Sequence, residues 1–177
     1  RQHLVQLADS YGVPLIEGHP WWDTRADALV KAAAGPNAQL VRYDGLERFD
    51  ILPLLVATDG AIAAFGQDRR RLRPNIVLGG VDGLKERSWE GRLLRIGELV
   101  VFLQSLRGRC IVTTYDPDTL AQDVGVLRDI ARRFRGKLAL NAAVVAPGHI
   151  HVGDRAEVVE VEPRHRGLLE QAEVLPW

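Results

Sequence analysis

The one cysteine of the sequence, Cys110, lies between an apolar run and a turn that is rich in hydroxyl and acidic residues. Arg107 and Arg109 are close to it in the chain, and positive charge near a sulfur favours the thiolate over the thiol. A thiolate attacks electrophiles and is also a soft ligand for transition metals. The alternative is that Cys110 is a small buried hydrophobic residue, the usual role of a lone cysteine. The local sequence leaves both interpretations open.

An arginine cluster precedes Pro74. It consists of Arg69, Arg70, Arg71 and Arg73. For the first three we predict a solvated basic face, which is the usual fate of a charge run at a helix end. Arg73 alternates with Leu72 and leads into an apolar run, so a pocket can hold its guanidinium, whose planar fork suits phosphate. Asn75 offers donors and an acceptor to the edge of a heterocycle, or is an ordinary turn residue.

Hydroxyl and carboxyl groups follow the cysteine. Thr113 and Thr114 are near enough to the sulfur to orient the oxygens of a ligand, or they bond their own backbone as part of a turn. For Asp116 and Asp118 we favour the turn, because the sequence Asp-Pro-Asp is typical of one.

Two histidines form a weaker candidate site. His149 and His151 are separated by one residue on a predicted strand, so both side chains would face the same side and share a metal ion. Two ligands make a poor site, and a surface strand that carries histidines is the favoured interpretation. The sequence has no glycine-rich phosphate loop, no paired cysteines for zinc and no nucleophile-elbow serine.

The composition is typical of a globular domain. The 177 residues are 46% hydrophobic and 26% charged, which is enough for one domain with a sizeable core. Basic and acidic residues number 23 each, so no excess charge attracts nucleic acid or an acidic membrane surface. No stretch approaches the roughly 18 apolar residues of a membrane span, and one cysteine cannot form an internal disulfide. We expect a soluble, cytoplasmic protein.

The pattern along the chain predicts mainly strands, with a few helices that position the candidate residues. Capping residues predict helices from 23 or 24 to 34, from 58 or 59 to 65, and from 123 to 135. Strands are predicted at 39–43, 51–57, 75–78, 92–96, 99–103, 110–114, 138–145 and 151–161. Short strands at close spacing, broken by glycine turns, favour an antiparallel barrel or sandwich.

Several segments together resemble the MOSC domain, the C-terminal domain of molybdenum cofactor sulfurases. They are Leu72–Val77, Trp89, Leu94–Gly97, Gly108–Thr119 and Pro147–Asp154. The resemblance implies a mainly β, barrel-like fold that binds molybdenum cofactor, a pterin with a dithiolene and a terminal phosphate. It also implies a MOSC domain at 41–162, a remnant of the N-terminal region at 1–40 and a C-terminal tail at 163–177.

The resemblance extends to the branch of amidoxime-reducing components, in which the cysteine of this motif binds molybdenum. Cys110 is therefore the implied metal ligand. Cofactor contacts are implied or expected at Arg73, Asn75, Gly108, Arg109, Thr113, Thr114 and Asn141. Asn141 differs from the tyrosine expected in the reductases. The reductases also carry a fuller N-terminal region with basic residues for the cofactor phosphate, and residues 1–40 match none of these.

Two functions follow from the resemblance. The first is an oxidoreductase that reduces N-hydroxylated or N-oxygenated substrates with electrons from a partner protein. The second is a non-catalytic module that carries the cofactor, or a sulfur on Cys110 as a persulfide. A scaffold without cofactor ranks last. Family descriptions also attach pyridoxal phosphate, for which no lysine context in this chain offers support.

Overall fold

The computed structural model describes residues 13–42 and 51–161, and the chain divides into two compact units, 1–48 and 49–177. In the first unit, strands β1 (Leu15–Ile16) and β2 (His19–Pro20) pair antiparallel and precede helix α1 (Thr24–Ala34). Asp23 caps this helix by accepting the main-chain N–H of Arg25. The predicted helix is confirmed.

The strand predicted at 39–43 is wrong for residues 39–42, which have no regular structure. Tyr43 and the turn predicted at 44–45 lie outside the described residues.

The second unit is built on one six-stranded sheet, in the order β4-β3-β7-β6-β5-β8. Its strands are β3 (Leu54–Thr58), β4 (Ile76–Leu78), β5 (Arg92–Ile96), β6 (Leu99–Gly108), β7 (Lys137–Ala146) and β8 (Ala156–Val159). All neighbours pair antiparallel except β3 and β4, which run parallel. Parallel strands need a crossover connection, and helix α2 (Asp59–Phe65) lies within it. The sheet is antiparallel, as the strand spacing favours, except at this one parallel pair.

The sheet curls into a half-barrel around one apolar core. Leu78 lies on one edge strand and Val158 on the other, yet both pack on the same cluster of buried side chains. That cluster includes Val56, Leu94 and Leu103 from the strands between them. Because the sheet curls, it encloses its own core. The predicted mainly β fold with a few helices is confirmed.

A second apolar cluster joins α2 to helix α3 (Val124–Phe134), which Asp123 caps. Leu138 belongs to this second cluster, whereas Leu140 belongs to the first. In a regular strand these two residues would face the same side. Ala139 between them has a left-handed φ of 68°, and the β6–β7 register shifts nearby. The irregularity turns β7 from one core to the other.

Two further strand predictions need correction, one for its type and one for its length. The strand predicted at 110–114 is absent, and these residues instead form the short 3₁₀ helix Ile111–Thr114, which Cys110 precedes. The strand predicted at 151–161 is reduced to β8, and residues 147–155 form a connection without strand structure.

Candidate functional site

An open cavity of about 340 Å³ lies where β6 ends and β3 begins. Its walls come from the β3 end, the arginine turn and the cysteine turn. They comprise Leu52, Leu54, Leu55, Arg71, Leu72, Arg73, Asn75, Arg107, Gly108, Arg109, Cys110, Val112, Thr113 and Asn141. The volume lies within the usual range of small-molecule sites, and among the described residues that line it none is acidic.

Cys110 is exposed at this cavity, which excludes the interpretation of a buried packing residue. It precedes the 3₁₀ helix Ile111–Thr114, and its main-chain carbonyl accepts a 2.8 Å hydrogen bond from the Thr113 hydroxyl. The hydroxyl of Thr114 donates to the carbonyl of Ile111 at 2.6 Å. These local bonds replace the ladder bonds of a strand and hold the sulfur-bearing turn.

The two threonines are buried, and their hydroxyls serve this turn. Thr113 lines the cavity, whereas Thr114 lies behind it and accepts a 3.2 Å hydrogen bond from the Gln122 side chain. Contact of either residue with a ligand stays a prediction.

Four arginines are among the residues that line the cavity: Arg71, Arg73, Arg107 and Arg109. Arg109 donates to the carbonyl of Leu72 at 2.7 Å, which fixes it across the arginine turn. Arg73 is exposed and has a left-handed φ of 55°, an uncommon backbone conformation for a residue with a side chain. The structure thus brings Arg73 and Arg109 to the same cavity as Cys110, in the company of Gly108.

Arg71 corrects the prediction of a solvated arginine face. Arg69 and Arg70 are exposed as predicted, but the Arg71 side chain is only 9% exposed. Its guanidinium donates to the carbonyl of Thr114 at 3.1 Å and to Asp116 Oδ2 at 3.0 Å. Nothing in the local sequence distinguishes this arginine from its neighbours, because the difference depends on a segment more than forty positions away.

Two carboxamides complete the polar wall. Asn75 Oδ1 accepts the main-chain N–H of Leu55 at 2.8 Å, which leaves its NH₂ group as the donor for a ligand. Asn141 is buried; its Oδ1 accepts from Arg107 at 3.3 Å and its Nδ2 donates to Ser105 at 3.2 Å. Both amides are therefore held in one orientation.

The acidic residues after the cysteine form the predicted turn. Asp116 Oδ1 accepts the main-chain N–H groups of Thr119 and Asp118 at 2.9 and 3.1 Å. Hydrogen bonds from these two amides hold the pKa of Asp116 below its usual value. Asp118 binds Arg70 through both oxygens, and this hydrogen bonding lowers its pKa as well. Both carboxylates are thus anionic partners for arginines.

The histidines do not share a strand. His149 and His151 lie in the connection before β8, and His151 is largely exposed beside Asp154, at 3.7 Å. Within residues 13–42 and 51–161, no group of three or more His, Cys, Asp or Glu residues is placed to hold a metal ion. The predicted common strand face is therefore wrong.

Comparison with known proteins identifies the family to which this site belongs. The MOSC domain model matches residues 61–157, more than half of the chain. The chain is 37% identical over 92 residues to mitochondrial amidoxime reducing component 2 of Homo sapiens, covering 49% of this chain and 27% of that protein. It is 33% identical over 82 residues to mitochondrial amidoxime-reducing component 1 of Homo sapiens, covering 43% and 24%. The match thus spans about a quarter of the length of these relatives.

A solved structure, the YiiM protein of Escherichia coli, superposes with a TM-score of 0.43 at 18% identity, covering 63% of this chain and 56% of that one.

The curled sheet and the open cavity at Cys110 define a mainly β domain with a candidate small-molecule site, and the family model assigns that domain to a known class. The chain belongs to the MOSC domain family, a family associated with molybdenum cofactor. The arrangement of residues 1–40, 41–162 and 163–177 as separate regions stays a prediction.

In the part of the chain that the structure describes, no helix is long and apolar enough to cross a membrane. The relatives named above are mitochondrial, and the cytoplasmic location inferred from the sequence stays a prediction.

Proposed function

We propose that this protein binds molybdenum cofactor in the cavity at Cys110 and reduces N-hydroxylated or related N-oxygenated small molecules. The observation that carries the proposal is the grouping of one exposed cysteine, four arginines and two asparagines in the lining of a single open cavity. The family match and the names of the two human relatives support the same chemistry.

The donor set fits each part of the cofactor. The sulfur of Cys110 is a soft ligand of the kind that binds a metal already held by dithiolene sulfurs. Guanidinium forks suit a phosphate, and Arg73 is the exposed one among those that line the cavity. The carboxamides of Asn75 and Asn141 suit the edge of a pterin. Apolar contact with the ring would come from Leu54, Leu55 and Leu72.

The residues of the chain bind and orient, while the cofactor supplies the redox chemistry of oxygen removal when it is bound. Arg109 is held by the Leu72 carbonyl and Asn75 by the Leu55 amide, so these donors are already in place before a ligand arrives. Cys110 is exposed and lines this open cavity, so a small substrate would have access to a metal held by its sulfur. Reduction of an amidoxime to an amidine and water consumes two electrons and two protons, and we assign the electrons to a partner protein.

The exposure of Cys110 also supports a second function, because an accessible sulfur can meet another protein. In this alternative the domain carries the cofactor, or a persulfide sulfur on Cys110, to another enzyme and does not turn over substrate. Cofactor or sulfane sulfur would then be bound without reductase activity.

Expression in a host that makes molybdenum cofactor tests the proposal. Molybdenum and pterin per chain are measured for the native protein, for Cys110→Ser and for the control Ser88→Ala, which changes an exposed turn away from the cavity. Turnover of a model amidoxime is measured with dithionite as the electron donor. We expect near-stoichiometric metal and turnover in the native protein and the control, and loss of both in Cys110→Ser.

Metal and pterin without turnover would favour the carrier function. Absence of both metal and pterin from the native protein would overturn the proposal that this cavity holds the cofactor.

A further inference from the structure

Arg71 is the one arginine in its cluster whose side chain is nearly buried. The 3₁₀ helix Ile111–Thr114 ends with main-chain carbonyls that have no partner within the helix. Two of them, from Thr113 and Thr114, face Arg71 Nη1 at 3.4 and 3.1 Å. The second nitrogen, Nη2, reaches Asp116 Oδ2 at 3.0 Å. One guanidinium group thus holds three oxygens on the segment that directly follows Cys110.

Asp116 itself is fixed to the same segment. Its other oxygen, Oδ1, accepts hydrogen bonds from the main chain at Asp118 and from both the main chain and the hydroxyl of Thr119. The carboxylate therefore joins the end of the cysteine turn to Arg71, with each of its oxygens engaged. Charge-assisted bonds of this kind are stronger and more directional than neutral ones.

The neighbouring Arg70 provides an internal comparison. It lies on the same short helix, Arg69–Arg71, and binds Asp118 through two hydrogen bonds of 2.8 and 2.6 Å. Its side chain is 53% exposed, it makes no main-chain contact with the cysteine turn among its described bonds, and it does not line the cavity. Exposed ion pairs add little order because solvent and salt screen them.

We propose that Arg71 is a positioning residue, which with Asp116 holds the turn 111–114 so that the Cys110 sulfur is presented to the cavity. This role rests on the proposed function only where it names molybdenum as the metal that the sulfur binds. Arg71 acts through Cys110, and lysine cannot replace it, because one ammonium nitrogen cannot reproduce the two-nitrogen fork that spans the turn and Asp116.

Amide hydrogen exchange of the cofactor-free protein tests the positioning directly. The amides of Thr113 and Tyr115 close the 3₁₀ turn through bonds to Cys110 and Val112, so their exchange reports its opening. We expect about tenfold faster exchange there in Arg71→Gln and in Asp116→Asn, with only partial recovery in Arg71→Lys. The control Arg70→Gln should exchange like the native protein.

A second readout is the number of sulfur ligands around molybdenum, measured by X-ray absorption on protein from the host that makes the cofactor. We expect one fewer sulfur ligand on average in Arg71→Gln, with the native number in Arg70→Gln. A merely stabilising residue would lower the melting temperature without changing the ligand count.

The positioning role is overturned if Arg71→Gln exchanges at the native rate, or if Arg70→Gln speeds exchange equally. It is also overturned if Arg71→Gln keeps the native sulfur count. Should the native protein take up no molybdenum, the proposed function fails while the exchange comparison still decides the role of Arg71. Should Arg71→Gln not fold, Arg71→Lys and Asp116→Asn provide the same comparison.

Discussion

Strand β3 has two very different ends. At its C-terminal end, Thr58 and Glu86 are fully buried, with Thr58 Oγ1 3.4 Å from Glu86 Oε2. The backbone there is packed so closely that a Cβ on Gly60 would lie 2.1 Å from the carbonyl oxygen of Val81. At its N-terminal end, Leu54 and Leu55 line the open cavity beside the polar groups of the cysteine and arginine turns.

The difference lies in what the polar groups face. At the closed end a carboxyl group is surrounded by protein, and burial raises the pKa of Glu86. Its Oε1 accepts no hydrogen bond from the described residues. At the open end Arg109 and Asn75 are held by main-chain groups while the cavity stays accessible. Changes at the closed end should therefore alter stability, and changes at the open end should alter binding.

The largest effect is expected from Gly60→Ala at the closed end. The added Cβ would meet backbone atoms of Val81 and Gly83 at 2.1 and 2.6 Å, and backbone cannot move aside as a flexible side chain can. We expect the free energy of unfolding, measured by urea denaturation, to fall by about 3 kcal/mol. The matched control Gly66→Ala meets no atom within 4 Å and tests only the cost of a left-handed φ of 71°. Equal losses in the two variants would contradict the close packing at Gly60.

The second largest effect is expected at the open end of β3, on the retention of the cofactor. Arg73 is exposed, so Arg73→Gln should leave the melting temperature near the native value. If its guanidinium binds the cofactor phosphate, loss of a charged hydrogen bond should weaken cofactor retention roughly tenfold. Pterin release during dialysis measures this, with Arg69→Gln as the control because Arg69 does not line the cavity. A large loss of stability in Arg73→Gln would contradict the view that the open end affects binding and the closed end affects stability.

A pH-dependent effect is expected at Glu86. Its folded pKa is above the unfolded value, so the protonated carboxyl stabilises the fold at low pH. That contribution is lost as pH rises from the unfolded pKa through the folded one. Glu86→Gln, which cannot ionise, should therefore gain stability relative to the native protein as the pH is raised from 4 to 8. Urea denaturation across this range measures the gain, and parallel stability curves would show that Glu86 does not titrate with folding.

The smallest effects are expected at Asn75, where two substitutions separate protein stability from pterin binding. Asn75→Asp keeps an acceptor for the Leu55 amide but loses the NH₂ donor, whereas Asn75→Ala loses both. We expect a stability loss of about 1 kcal/mol in Asn75→Ala and less in Asn75→Asp, with weaker pterin binding in both. Thermal unfolding and pterin content are measured together. If Asn75→Asp keeps the native pterin content, the NH₂ group of Asn75 does not bind the pterin.

Local sequence was a good guide wherever a segment carries its own start and stop signals. Asp123 caps its helix as predicted, and Asp23 and Thr58 are the first of the two candidates predicted for theirs. The side-chain oxygens of all three bond amides two or three residues ahead. The strands at 75–78, 92–96 and 138–145 are confirmed within a residue or two. Each of them contributes apolar side chains to a core of the sheet, so its apolar pattern indicates a strand.

The segment after Cys110 shows where local signals fail. Ile111, Val112, Thr113 and Thr114 are β-branched and favour a strand, yet they form a 3₁₀ helix. The helix exists because threonine hydroxyls bond carbonyls three residues back and because Arg71 arrives from another element. Propensity cannot report a partner more than forty positions away.

The sequence by itself determined the mainly β class, the three capped helices and, through the family motif, the residues at which chemistry was to be expected. Only the tertiary structure decided that Cys110 is exposed, that Arg71 leaves its solvated neighbours to hold the cysteine turn, and that Asn141 reaches the same cavity. The physical reason is that capping and apolar patterns act over a few residues, whereas a cavity is formed by contacts between segments that the sheet brings together.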